Sequence, residues 1–343
     1  MRPLPAPLRL VYRVGVTLVV GLGWAGLYAL RNLFLAMSEA AYHRNVGDLL
    51  ASVGWLLGAG RAYARADEAA GDVEGGAGPA DFESCCLAGR CAQITGDLGL
   101  AVRFYRRALK REPGNHALHR MLGEALLDQR RFGTALQHLE RALWRAGSDP
   151  ELRMKAAHAA TVMGEGERAR EHLRRVVDEH RETRVGFLAQ ARLALGRGDG
   201  SVALRAALRA AAFSPRDVEA RLLLAEACAR CGHLSDAERH YRDILRQHPD
   251  QIDARVGLTD LLLARDPAAA LALVEEGLYA EPRDAALLCA KGEALLKLGQ
   301  VKAARRCLQA SAHSEPDRAR VHEKLAEVQR LEQGGGEGGV TRG

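Results

Sequence analysis

Aromatic residues are scarce in this chain, at 5% of 343 positions, and alanine and leucine supply most of the apolar surface. A palette so poor in aromatic and β-branched side chains excludes a strand-rich fold and favours helices. Also missing is any long block of charge of one sign. The net charge is +6, and the basic residues are interleaved with acids, as in Arg170, Glu171, Arg174 and Arg175. No stripe joins basic residues to exposed aromatics, so these charges read as solvated faces and nucleic acid is not an expected partner. A disulfide framework is absent as well. Seven cysteines (Cys85, Cys86, Cys91, Cys228, Cys231, Cys289 and Cys307) are an odd, scattered set, which suits a reducing compartment. Finally, there is no phosphate loop, no HExxH and no nucleophile elbow. The expectation is a non-enzyme without cofactor or metal. At 48% hydrophobic and 27% charged, the composition still argues for an ordered core.

What the chain does have is a period. Ala101, Ala135, Ala169, Ala203, Ala237, Ala270 and Ala304 recur every 34 residues, with one step of 33 before Ala270. Pro113, Pro215, Pro249, Pro282 and Pro316 keep the same phase, each twelve residues after its alanine. A fixed period of this length marks a solenoid, whose unit cannot bury its apolar face alone and stacks on copies of itself. Each period reads as two helices. In the first, Ala88 and Gly89 are small residues of one helix, Gly96-Asp97 the turn, Ala101 and Tyr105 the second helix, and Pro113 the stop. Small residues at a crossing let two backbones approach, and Tyr105 fills the adjoining hole.

This pattern resembles the tetratricopeptide repeat. The second copy carries His119, Leu122-Gly123, Leu126, Ala135, Leu139 and Ala142; the fifth Leu224-Ala225, Cys228, Ala237, Tyr241 and Pro249; the seventh Gly292, Leu295, Ala304, Leu308 and Pro316. The copies fall at 82–115, 116–149, 150–183, 184–217, 218–251, 252–284 and 285–318. The third departs most, with Arg181 in place of the proline. The sixth is one residue short in its turn, where Asp266-Pro267 supplies an N-cap and a first-turn proline. The resemblance implies an all-α, right-handed solenoid of about seven helix hairpins. Its final helix spans 319–333, with Val321, Leu325, Val328 and Leu331 inward and Arg320, Glu323, Lys324 and Glu327 on the other face. Residues 334–343 have nothing to bury and are expected to be disordered.

The resemblance also implies that first helices line a concave groove that takes protein or peptide ligands. By register the lining would be Arg90, Gln93, Arg120, Glu124, Asp128, Met154, His158, Leu188, Arg192, Leu222, Glu226, Arg230, Val256, Asp260, Glu293 and Lys297. Mixed charge with aliphatic patches suits an extended or helical peptide of matching pattern. Relatives that clamp a carboxylate tail or hold a backbone use groove asparagines. The only asparagines here, Asn32, Asn45 and Asn115, fall outside the groove, so both modes are unexpected. Cys228-Ala-Arg-Cys231 sits on a first helix, with Cys228 at the family's tyrosine position, where packing is a better role than zinc or redox chemistry. His116 and His119 have helical spacing, but His119 takes a core position.

The amino-terminal region reads differently. Val14 to Leu30 is seventeen residues without a charge, between Arg13 and Arg31, and resembles a short membrane anchor. A cleaved signal peptide is the other reading, but Arg31 and Asn32 interrupt the approach to its one small-residue site, near Ser38 to Ala40. A formal GxGxxG at Gly21, Gly23 and Gly26 lacks the strand and βαβ context it needs. Instead Gly21, Ala25 and Ala29 form a small-residue helix face through which two copies could pair as a homodimer. Charges on the two sides slightly favour an internal amino terminus, whereas free thiols favour repeats in the cytoplasm. Residues 1–37 are thus an expected anchor, 38–70 a juxtamembrane helical region, and 71–81 an acidic glycine-rich linker ahead of the repeats at 82–318. For 38–70, a helix at the membrane surface and an irregular cap on the first repeat both fit. The function expected is a membrane-anchored scaffold for assembly or regulation of a membrane or envelope complex. Its rival is an accessory subunit that activates a partner transferase or secretion enzyme by contact.

Overall fold

The computed structural model describes residues 47–48, 50–51, 58–63, 65, 79–146 and 149–337. Every regular element among them is helical. The segment Val14–Leu30, with Gly21, Ala25 and Ala29, lies outside the described residues, as do 71–78 and 338–343. Among the described residues no helix is long and apolar enough to cross a membrane. The chain divides into two compact units, Met1–Gln129 and Arg130–Gly343.

The first unit contains Pro79–Ile94 (α1), Leu98–Arg111 (α2) and His116–Asp128 (α3). Helices α1 and α2 are the hairpin of the first copy. Asp97 starts α2 by accepting a hydrogen bond from the Leu100 amide at 2.9 Å. A Cβ on Gly89 would lie 2.5 Å from the ring of Tyr105, so only glycine permits this crossing. The same arrangement recurs upstream. Gly47, Ala59 and Tyr63 precede Gly89, Ala101 and Tyr105 by 42 residues each, the period plus eight. Gly47 lies against the Tyr63 ring, and Ala59 and Tyr63 are buried with Cys85, Ala88 and Cys91 in one apolar cluster. Described residues between 47 and 65 therefore pack on the first copy, ahead of the acidic segment.

The second unit contains Phe132–Ala146 (α4), Pro150–Val162 (α5), Gly166–Glu179 (α6), Arg184–Arg197 (α7), Gly200–Phe213 (α8) and Val218–Arg230 (α9). It continues through Leu234–Gln247 (α10), Ile252–Leu263 (α11), Pro267–Ala280 (α12), Ala285–Lys297 (α13), Val301–Ser314 (α14) and Ala319–Glu337 (α15). The periodic alanines Ala135, Ala169, Ala203, Ala237, Ala270 and Ala304 are all buried, none more than 5% exposed. Removing a methyl-sized side chain from water at each crossing is a small gain. The close approach it permits lets larger neighbours such as Leu139, Leu173, Ile244 and Leu308 pack without voids.

Five of the six junctions between copies follow one rule; Gln251, before α11, makes no side-chain capping hydrogen bond. The last residue of a copy caps the next first helix: Asn115 accepts from the Ala117 amide at 3.0 Å, Asp149 from Leu152 at 3.0 Å, Thr183 from Gly186 at 3.1 Å, Asp217 from Glu219 at 3.0 Å and Asp284 from Leu287 at 2.9 Å. In the sixth copy Asp266 accepts from Ala269 at 3.0 Å and Pro267 opens α12. Where the third copy lacks its proline, Gly186 substitutes a close contact: a Cβ there would overlap the His180 carbonyl.

Turns inside the hairpins carry a left-handed residue at one fixed position. Gly96, Gly164, Gly198, Gly232 and Gly299 have φ between 76° and 83°, and Arg130 stands in the corresponding place with φ 59°. A non-glycine residue pays about 1–2 kcal/mol for that conformation. The Arg130 side chain supplies the compensation. Its guanidinium pairs with Asp284 at 2.8 Å and with Glu315 at 3.2 Å, both carboxylates being buried. Glu315 is also held by Arg318 at 2.6 Å, and the Gly133 amide donates to Asp317 at 3.2 Å. The beginning and end of the second unit are thereby clasped together.

Helix α15 closes the stack, burying Val321 and Val328 against Cys289 and Leu308, with Leu325 partly covered. Leu331 was expected inside but is half exposed. Arg320 was expected on the outer face but reaches back to α11 and α13. The helix runs to Glu337, beyond the 319–333 expected.

Two predictions follow from this packing. Gly186→Ala must move backbone rather than a flexible side chain, and should destabilise by about 1–3 kcal/mol; an unchanged melting temperature would show that the α6–α7 junction yields freely. Arg130→Gly relieves the left-handed strain but strands the Asp284 carboxylate, a cost of about 2 kcal/mol after allowing for partial exposure of the arginine. A lower melting temperature, with faster amide exchange at both 130–135 and 284–319, is expected. A higher one would mean that the clasp contributes nothing.

Candidate partner-binding site

First helices α5, α7, α9 and α11 turn one face to a common cavity of about 640 Å³ within the second unit. Helical periodicity explains the lining, since residues three or four apart share a face. On α9 these are Glu219, Leu222, Glu226 and Arg230; on α11, Asp253, Val256 and Asp260. Helix α5 adds His158 and Thr161, and α7 adds Arg192. Seven of the sixteen residues expected in the groove thus meet in one place: His158, Arg192, Leu222, Glu226, Arg230, Val256 and Asp260.

The others are placed differently. Met154 and Leu188 are buried in the core, 5% and 1% exposed, because α7 packs on α9 as well as α8 and the two side chains join that cluster. This corrects their assignment to the groove surface. Glu293 is buried and Lys297 exposed. In the first unit, Arg90, Arg120 and Asp128 are exposed, with Gln93 and Glu124 half-buried. There Gln93 donates to Asp128 at 3.1 Å and accepts from the Tyr105 hydroxyl at 3.1 Å, while Arg120 pairs with Glu124 at 3.3 Å.

Ion pairs use up part of the cavity's charge. Arg192 holds Glu219 at 2.9 Å. Arg320 of α15 is bidentate to Asp260 at 2.7 and 3.0 Å and holds Glu293 at 2.6 Å. Burial alone would lower the pKa of Arg320, but the hydrogen bonds to Glu293 and Asp260 raise it, so the cation is permanent. Arg320, Glu219 and Asp253 escaped the sequence reading. The last two sit at the second position of their helices, a groove position that the register already offered. Arg320 had no such signal, because its partners lie 60 and 27 residues away.

His158 is solvent-accessible but walled in by the concave surface, with the Phe132 ring edge-on at 5.9 Å. The loss of surrounding water, then Arg192, Arg318 and Arg130 against the opposing pull of Asp253, hold its pKa down at about 4. The cysteines behave as packing residues. Cys228 is buried beside Ala227 and Ala237, and burial pushes its thiol upward. Cys289 is pushed up to about 12 by burial and the nearby Glu293. Neither would be a thiolate at neutral pH. His119 is buried, its Nε2 3.1 Å from the Pro113 carbonyl oxygen.

A histidine whose folded pKa lies below its unfolded value binds fewer protons when folded. Its contribution is neutral above about pH 6.5 and becomes destabilising as pH falls towards 4. An NMR titration should place the His158 midpoint near 4; a midpoint near that of a free histidine would mean that the cavity is open to bulk water.

Tetratricopeptide repeat models match residues 89–151, 218–261, and 126–193 with 261–328, together well over half of the chain. No curated protein sequence matches significantly. A crystal structure of a tetratricopeptide repeat protein from Parabacteroides merdae is similar over 72% of this chain and 98% of its own, at 20% identity and a TM-score of 0.52. The crystal structure of the APC/C hetero-tetramer Cut9–Hcn1 is similar over 82% of this chain and 54% of that one, at 13% identity and a TM-score of 0.49. At such identities the likeness is one of fold. With the periodic alanines buried and the repeat models matching across the same stretch, the chain belongs to the tetratricopeptide repeat superfamily.

Proposed function

We propose that this protein is a scaffold that holds a segment of a partner protein in the cavity of the second unit, and that Val14–Leu30 tethers it to a membrane. The observation that carries the first part is the convergence of four first helices on one cavity of mixed charge with aliphatic shoulders at Leu222, Val256 and Leu261. A concave surface with a few placed polar groups among apolar ones is the usual form of a recognition site. Its fixed ion pairs orient what binds, because they are already formed and need no ordering on association. Tethering supports the same reading, since confinement at a membrane raises the effective concentration of weakly held partners. The uncharged seventeen-residue segment between two arginines supports the tether. Pairing through Gly21, Ala25 and Ala29 would make the scaffold bivalent.

The groove reading is tested by selecting binders from a random 12-residue peptide library on the full chain. Enriched peptides should lose binding to Leu222→Ala and Val256→Ala; both side chains also pack against the core, so each variant is first shown by circular dichroism to remain folded. Peptides indifferent to both substitutions, or no enrichment at all, would remove the groove as the site. For the tether, the full chain should remain with membranes after an alkaline carbonate wash and deletion of residues 1–37 should release it. Release of the full chain would end that part of the reading.

A further inference from the structure

We propose that the α9–α11 end of this cavity receives a lysine or arginine side chain from the bound partner segment; the inference rests on the groove reading above. Four carboxylates line the cavity, on Glu219, Glu226, Asp253 and Asp260. Two are already neutralised, Glu219 by Arg192 and Asp260 by Arg320. Glu226 and Asp253 make no ion pair or hydrogen bond among the described residues. The only cation near them without a partner of its own is Arg230, one turn beyond Glu226, and it too forms no ion pair there.

A second observation is independent of these acids. Tyr241, on α10, is only 5% exposed, yet it lines the same cavity and its hydroxyl has no hydrogen-bond partner among the described residues. The hydroxyl sits beside the bare backbone of Gly257, where a Cβ would come within 2.7 Å of it. The ring is buried, but the hydroxyl oxygen keeps a face open to the cavity, where it can accept from a donor that arrives with the ligand.

The electrostatics agree. Burial pushes the Glu226 carboxyl upward, Arg230 and Arg192 pull it down, and Asp260 and Asp253 push it up again. The Tyr241 hydroxyl is raised by burial, then by the charges of Glu226, Asp260 and Asp253, so it remains protonated. Its oxygen lone pairs can then accept from an ammonium or guanidinium N–H, while the carboxylates supply charge. Leu222, Val256 and Leu261 offer an apolar wall for the methylene stem of such a side chain. Asp253 is exposed and Glu226 partly buried, so water serves them in the free protein; a carboxylate-bearing or apolar side chain would displace that water without replacing its hydrogen bonds, a cost that selects against it.

The test uses peptides selected from the random library on the full chain. Those that depend on Leu222 should share a lysine or arginine at a fixed position. By fluorescence anisotropy, replacing that residue with glutamine should weaken binding to the wild type by about tenfold or more, as expected for a charge-assisted hydrogen bond in a confined site. The same replacement should matter less than about twofold for the Glu226→Gln, Asp253→Asn double variant. Tyr241→Phe should lie between them. Both carboxylate changes are isosteric and accessible, so the double variant should keep its circular dichroism melt. Leu222-dependent peptides without a shared basic residue, or with one whose loss is felt equally by the double variant, would overturn this proposal and leave the groove reading standing. Peptides independent of Leu222 would overturn both.

Discussion

Every hairpin in this protein depends on a crossing point too narrow for anything larger than alanine. Seven such alanines, one per copy, are buried, and the bulk that fills the core stands beside them rather than between the backbones. Where a ring must lie close, as Tyr105 does against Gly89, the opposite residue shrinks to hydrogen. This is interior packing of crystalline density, in which volume is exchanged between neighbours rather than added. Because each crossing sets the angle of its hairpin, the repeated alanine also sets the angle between successive first helices. Within the second unit, that repetition gives α5, α7, α9 and α11 a common inner face.

Local chemistry then fixes where helices begin and turn. Capping residues at the end of one copy start the next, so the stack is registered by hydrogen bonds as well as by apolar contact. The turn position shows how a local rule can yield to a distant need. Glycine is the easy occupant of a left-handed turn, and five copies use it. Arg130 accepts the backbone cost because its side chain neutralises two buried carboxylates at the other end of the unit. The cap helix makes a similar reach, with Arg320 tying α15 to α11 and α13. Both arginines set the polarity of the cavity as well as its closure. Arg130 is one of the cations acting on His158, and Arg320 removes Asp260 from the acids left unpaired.

Much of this was legible in the residue order, and what was not has identifiable causes. The hairpins and the short sixth turn follow from a strict period, and seven of the cavity residues from the groove positions that the family resemblance implies, carried over by helical register. The packing of Ala59 and Tyr63 on the first copy was hidden by arithmetic: eight additional residues break the phase between Gly47, Ala59, Tyr63 and their counterparts. Met154 and Leu188 hold the same helical position as Leu222 and Val256, yet they are buried while the latter line the cavity. Register gives a direction from the helix axis, but the closeness of the neighbouring helix decides whether that direction ends in solvent.

Sequence by itself determined the class of fold and the repeat unit, because both are set by interactions within some forty residues; the inward face of the first helices was what the family resemblance implied. Tertiary structure alone decided which charges remain free in the cavity. That depends on arginines such as Arg320, 60 residues from Asp260, and on Arg130, 185 residues from Glu315. Coulombic partners are chosen by proximity in space, and a periodic sequence holds no record of which of its many acids and bases the completed stack will bring within reach.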